Sequence, residues 1–358
     1  MQTSETGAFL RTITPEKLFD PETWTKLSAF ARVLPSGDVL PTRAKHSTES
    51  NDYQVGLNYL FATDDDPKNG FWFALPDLAA SVQLTGRVPR IVEAFRLQAS
   101  GQLETLQRIT LRGTVPIDPR RDDFFRKVIE ERKRLANNTA LTDEERKRLD
   151  KALKVLANAT SYGIFAEMIR EETTKKVPTT CYGIDPDSFP CSVQNPERPG
   201  AYCFPPLASL ITAAARLMLA LLERCVTDLG GTYAMEDTDS MAIVATQRGG
   251  LIECPGGTDR RRGKPPVRAL SWAQVNAIAK RFEQLNPYDR AAIGGSVLKI
   301  EDDNRDPKTE EPRQLWCLAI SAKRYALFLR DSNGEPALLR EGANNKEDRY
   351  SELGLGIC

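Results

Sequence analysis

Two aspartates stand two residues apart in the stretch MEDTDSMAIVA (235 to 245), at the edge of an apolar run that ought to be buried. Asp237 and Asp239 repel each other there, and a divalent cation shared between them and a phosphate relieves that repulsion. Magnesium suits such oxygen ligands, and two-metal phosphoryl transfer is the chemistry such a pair serves. That reaction takes carboxylates from at least two chain segments, so one D-x-D supplies half a site. Aspartate is also a favoured turn residue, and capping the bend is the plain structural role for both. Other chemistries find little material. The single histidine, His46, sits in the polar, loop-like TRAKHSTES, so a Ser-His-Asp or Cys-His mechanism would rest on it alone. Seven cysteines include no C-x-x-C pair, which argues against zinc.

The elements that must position the aspartates follow from pattern. GTYAM leads up, EDTD turns and SMAIVAT returns with apolar character, which predicts a β-hairpin with the aspartates at its bend. The preceding segment 205 to 222, PPLASLITAAARLMLALL, approaches membrane-span length but carries Arg216 with the polar Ser209 and Thr212. It reads as a buried helix rather than a span, closed by the glycines of DLGG (228 to 231). Upstream, apolar residues at 124, 125, 128, 129 and 135 keep helical spacing. ANNTAL breaks that helix, and Thr142 with Glu145 forms a capping box that opens a second one through DEERKRLDKALKVLANATSYG. The short connection predicts an antiparallel helical hairpin. Lys154, Asn158 and Tyr162 recur every four residues and so share one stripe of its second helix.

Between 120 and 154 there are twelve Lys or Arg against eight Asp or Glu. Either this is a solvated face laced with i to i+4 ion pairs, or it is a surface that receives a phosphate chain. Further on, a helix is expected at about 272 to 285, with strands at SVLKIE (296 to 301) and within LWCLAISAKRYALFL (315 to 329). Residues 1 to 118 mix short helical and extended patterns around the turn-like TDDDPKNG, and Trp24, Phe71, Trp72 and Phe73 read as core.

At 358 residues and 41% hydrophobic composition, the chain can bury two or three cores. Forty-nine basic and forty-nine acidic side chains cancel, so a nucleic-acid surface must come from local segregation of charge. The first thirty residues lack a basic region followed by an apolar one, and the odd cysteine count fits reduced thiols, so a cytoplasmic location without a membrane partner is expected.

Three stretches in this order resemble the motifs of family B DNA polymerases, and the resemblance covers about 120 to 330. KVLANATSYG (154 to 163) is similar to that family's fingers-helix motif, DTDS (237 to 240) to its palm hairpin motif, and Lys323 with Tyr325 to its K-x-Y motif. SLITAAAR (209 to 216) is similar to the helix that precedes the palm hairpin. The resemblance implies that Lys154 contacts an incoming dNTP while Asn158 and Tyr162 lie near the nascent base pair. It implies that Asp239 and Asp237 hold metal, with two Mg²⁺ ions expected, and that Lys323 and Tyr325 contact primer-template DNA. Arg132 is a candidate second phosphate contact. The implied fold is α+β, a polymerase-like palm of antiparallel sheet with packed helices plus a helical-hairpin fingers segment.

The corresponding division is an N-terminal α+β segment at 1–118, fingers-like hairpin at 119–172, palm-like domain at 173–345 and a tail at 346–358. The sequence departs from the family in several places. Tyrosine follows Asn158 by four residues, one more than usual; Met235-Glu236 replaces the usual Tyr-Gly; and Ala136 stands where a lysine is often found. The other palm motif, an aspartate followed by a Ser-Leu-Tyr-Pro-Ser-like run, is not found in residues 1 to 120, and neither an exonuclease segment nor a thumb is recognised. The expected function is DNA-directed DNA polymerisation by a partial or split chain, with a second polypeptide as the source of the missing motif. The alternatives are a non-catalytic DNA-binding remnant of a polymerase and a D-x-D glycosyltransferase.

Overall fold

Amphipathic helices and short antiparallel strands build the chain, as the alternating and 3.6-residue patterns dictate. The computed structural model describes residues 3–34, 38–41, 70–101, 104–181, 188–237, 239–252, 266–321, 324–331 and 333–338; the side chains of Tyr162 and Asp237 are not among the described atoms. Eight α-helices are found among them: α1 (Thr3–Thr12), α2 (Pro15–Leu18), α3 (Pro21–Trp24), α4 (Leu75–Thr85), α5 (Phe124–Ala136), α6 (Asp143–Asn158), α7 (Pro205–Asp228) and α8 (Trp272–Arg281). The sheets are small, open and mostly antiparallel, so the molecule is α+β.

The chain divides into two units. Unit 1 gathers Met1–Leu97, Ala214–Asn286 and Gly295–Cys358, and unit 2 gathers Gln98–Ala213 and Pro287–Gly294. Residues 173 to 213 fall in the same unit as the helical hairpin.

In unit 2, α5 and α6 pack through Val128, Leu135 and Leu153, with Leu111 and Ile117 of a small hairpin (Ile109–Leu111 with Val115–Ile117) completing the core. The capping box forms as expected: Thr142 Oγ1 accepts from the Glu145 N–H, and Glu145 accepts from the Thr142 N–H at 2.9 Å. The 287 to 294 segment belongs to this unit because the Asp289 N–H donates to the buried Glu130 carboxylate at 2.7 Å, which Arg126 also holds at 2.7 Å.

In unit 1, the sheet Phe71–Ala74, Ala29–Leu34 and Arg90–Arg96 lays Ala29, Ala31, Val33 and Phe73 into a core shared with α4 and the later turns of α7. Leu217, Leu221 and Val226 are fully buried there, and Phe282 packs edge-on against Phe19 at 5.0 Å. Trp72 differs from the expected core role: it lies 44% exposed on the other face of the strand from Phe73, as strand alternation requires. Among the described residues α7 alone is long and apolar enough to cross a membrane, yet six or more of its side chains are built into this core. Its end is a Schellman turn, with Gly230 at φ +71°, the Gly230 N–H on Thr227 O and the Gly231 N–H on Val226 O. A Cβ on Gly231 would meet Leu270 at 2.7 Å, which explains a second glycine at that point.

The strand expected at SVLKIE does not form; residues 296 to 301 run as bends and irregular chain, and pair with no strand among the described residues. The strands Trp316–Ser321 and Arg324–Arg330 do pair, antiparallel, with Pro336–Leu338 on the outer edge.

Candidate functional site

The hairpin around the aspartates forms as the sequence predicts. Tyr233–Asp237 pairs antiparallel with Ser240–Ile243, Asp237 opposite Ser240, so the bend is two residues long. Asp239 lies in that bend, exposed. Position 237 ends its strand, but its side chain lies outside the described atoms.

A β-bulge at Ala234 decides what else lies near the bend. Tyr233 pairs with Ile243 and Glu236 with Met241, so the extra residue brings Tyr233 and Glu236 to the same face of the hairpin, while Met235 takes the other parity. On that face the Tyr233 hydroxyl donates to the Glu223 carboxylate of α7 at 3.2 Å. Glu236 Oε1 is buried without a hydrogen-bond partner. Burial, and next the Glu223 charge, push the Glu236 carboxyl up to about 7. Burial likewise drives the Tyr233 phenol up to about 12, with Glu223 and Glu236 adding to it. Sequence reasoning recorded Glu236 only as a departure from a motif. The available signal was an acid following the apolar run Tyr233–Met235, and the missing piece was the bulge that turns it toward α7.

The proton on Glu236 is linked to stability. Its folded pKa of about 7 exceeds the unfolded value near 4.5, so the folded state binds this proton more tightly. The stabilisation is complete below about pH 4.5 and is lost as pH rises through about 7. Because solvent reaches part of the cluster, the cost at pH 8 is about 1–2 kcal/mol. Glu236→Gln is therefore expected to melt several degrees above the parent at pH 8 and level with it at pH 4.5, as followed by circular dichroism. A gain of equal size at both pH values would mean that titration is not its cause.

An oxygen-ligand cation of the magnesium type finds only part of its ligand set here. Asp239 offers one exposed carboxylate, Glu236 is turned away on the α7 face, and among the described residues no three His, Cys, Asp or Glu side chains converge.

On α6, Lys154 and Asn158 are both exposed and lie about 40° apart around the axis, one above the other. The helix then changes type. Ala159–Gly163 is a π-helical turn closed by the Ile164 N–H on Ala159 O. A π turn takes up one residue more than an α turn, so the backbone of position 162 stays near the stripe of Lys154 and Asn158 that its four-residue spacing predicts. The Thr160 hydroxyl donates to Leu156 O at 2.6 Å and the Ser161 hydroxyl to Asn158 O at 3.1 Å, satisfying carbonyls that the change of winding disturbs.

Arg132 is not on that stripe. Its guanidinium is held bidentate by Asp150, Nε to Oδ1 at 2.5 Å and Nη2 to Oδ2 at 3.1 Å, which ties α5 to α6 and engages the donors a phosphate would need. Lys323 lies outside the described residues, as does His46. Tyr325 is 6% exposed on its strand opposite Ala319. The structure thus brings Lys154, Asn158 and the backbone of Tyr162 onto one helix of unit 2 and sets Asp237 and Asp239 on one hairpin of unit 1. Searches against family models, curated proteins and solved structures return no match.

Proposed function

We propose that this chain supplies fingers-like and palm-like elements of a family B type DNA polymerase, acting in template-directed transfer of a nucleotide to a primer 3′ hydroxyl. The observation that carries the reading is the π turn at 159 to 163. The one-residue excess between Asn158 and Tyr162, the departure that most weakened the fingers motif, is taken up by a device that accommodates one extra residue in a helix. Such turns recur at functional sites.

In this reading Lys154 lays a positive charge along the triphosphate, and Asn158, one turn on, faces the nucleoside. Asp239, at an exposed two-residue bend, is the chain's carboxylate toward a catalytic cation, with Asp237 its partner. A bound divalent cation would supply charge neutralisation on the phosphate being transferred. The second principal carboxylate comes from a further segment or a second polypeptide.

Primer extension on a DNA template with Mg²⁺ and four dNTPs tests the assignment, in the complemented enzyme if this chain alone is silent. Lys154→Ala is expected to raise the KM for dNTP by roughly 10- to 100-fold, about 1.4–2.8 kcal/mol, with a smaller effect on DNA affinity. An unchanged KM would remove Lys154 from the nucleotide site.

A second reading, a polymerase remnant that binds DNA without turnover, is favoured by the single exposed carboxylate described at the bend. Salt-dependent DNA affinity with no extension under any complementation would select it.

A further inference from the structure

The outer face of α6 carries cations that form no ion pair among the described residues. On α5 four of the five basic side chains are paired, Arg126 with Glu130 at 2.7 Å, Lys127 with Asp122 at 3.8 Å, Arg132 with Asp150, and Arg134 with Glu131 at 3.7 Å, and Lys133 stands exposed by itself. The carboxylates of α6 are mostly engaged too, Asp143 by Arg146, Glu145 by the cap and Asp150 by Arg132. Lys147, Arg148, Lys151 and Lys154 make no ion pair among the described residues, and all four are exposed. At 100° per residue, Lys147, Lys151, Lys154 and Asn158 fall within about 60° of arc, and Arg148 widens the row to about 120°. Beside them Ala152, Val155, Leu156 and Ala159 floor a shallow open depression edged by Arg148 and Lys151. Val155 is 59% exposed.

We infer that this face of α6 binds a single strand of nucleic acid along its sugar-phosphate backbone, the cations on phosphates and the Val155 depression against sugar or base. The inference rests on the polymerase reading but reaches past its nucleotide-binding turn. Lys147 lies seven residues, about 10.5 Å, from Lys154 along the axis and away from Asn158. A compact anion needs converging cations, whereas a row at helical pitch matches a linear polyanion. Cations already paired to carboxylates add little to such binding, while unpaired ones displace condensed counterions from the strand. A row of four such cations distinguishes α6 from α5, where Lys133 stands alone, although both are basic in sequence. Glu144, exposed one turn before Lys147, ends the row.

The test is fluorescence anisotropy of the full chain with a labelled 20-nucleotide single-stranded DNA across a salt series. Lys147→Glu/Arg148→Glu/Lys151→Glu is expected to weaken binding at least tenfold at low salt. It should also flatten the slope of log K against log salt by about 2, at roughly 0.7 per phosphate contact. Lys151→Glu alone is expected to weaken binding several-fold, while Lys133→Glu, an exposed charge reversal on α5, stays within twofold. Helix content and melting temperature are followed for each variant, and the single reversals keep the comparison available if the triple variant does not fold. Fluorescent dNTP binding should be unchanged in Lys151→Glu and weakened in Lys154→Ala. Parent-like DNA affinity in Lys151→Glu and in the folded triple variant overturns this inference and leaves the polymerase reading standing, as does an equal loss in Lys133→Glu. A parent chain that binds no DNA overturns both. Binding to phosphatidylserine vesicles but not to DNA overturns it in favour of a membrane surface.

Discussion

Asp239→Ala is expected to lower metal-dependent primer extension by about 10³-fold or more, some 4 kcal/mol of transition-state stabilisation, in whatever assembly completes the site. Asp239 occupies an exposed two-residue bend between paired strands, so its backbone is fixed from both sides while its carboxylate stays open to solvent. A residue that only capped the turn would cost roughly 1 kcal/mol of stability on replacement and leave turnover nearly intact. The two roles therefore separate in one experiment. Asp239→Asn keeps the turn chemistry and removes the charge; it should melt like the parent yet fail in extension. Near-normal extension by either variant would return both aspartates to the turn role and leave the polymerase reading without a metal ligand in this chain.

The largest expected effect on stability comes from Asp77. Arg216 projects from α7 onto the Asp77 carboxylate in the first turn of α4, Nε to Oδ1 at 2.7 Å and Nη2 to Oδ2 at 2.9 Å. The Asp77 side chain is 5% exposed and Arg216 42%. Burial outweighs the guanidinium, so the Asp77 carboxyl titrates above its ordinary value, a sign that the pair does not fully offset its own desolvation. Removing one partner is worse than removing both. Asp77→Ala should cost about 2–4 kcal/mol in urea unfolding, the lower part of the range for buried pairs because water reaches Arg216. Asp77→Ala/Arg216→Ala should cost clearly less than the sum of the single changes. Strict additivity in that cycle would mean that the two side chains do not act as a pair.

Arg216 also shows where sequence reasoning reached its limit. A charge inside the most apolar stretch is enough to prefer a buried helix to a membrane span, and α7 does place Leu217, Leu221 and Val226 in the unit 1 core. The partner that makes the charge tolerable lies 139 residues away, and no local pattern points to it. Arg132 is a parallel case: its type and position suited a phosphate, and only the packing of α5 on α6 brings Asp150 across to hold it. The basic count at 120 to 154 has two readings, and the tertiary pairing separates them, with most cations of α5 in ion pairs and Lys147, Arg148, Lys151 and Lys154 of α6 in none among the described residues.

The sequence by itself determined the elements whose signals are short-range. The α5–α6 hairpin, the Thr142–Glu145 box, the glycine end of α7 and the hairpin carrying Asp237 and Asp239 all rest on contacts within a few residues, which the local order of side chains specifies. Tertiary structure alone decided which polar groups are available to a ligand. The bulge at Ala234 turned Glu236 toward Glu223, α6 passed into a π turn at Ala159–Gly163, Tyr325 is buried, and SVLKIE pairs with no strand among the described residues. Each of these depends on partners distant in sequence or on one residue of register. A side-chain period of two or 3.6 shows which face a residue belongs to but not what the rest of the chain sets against that face.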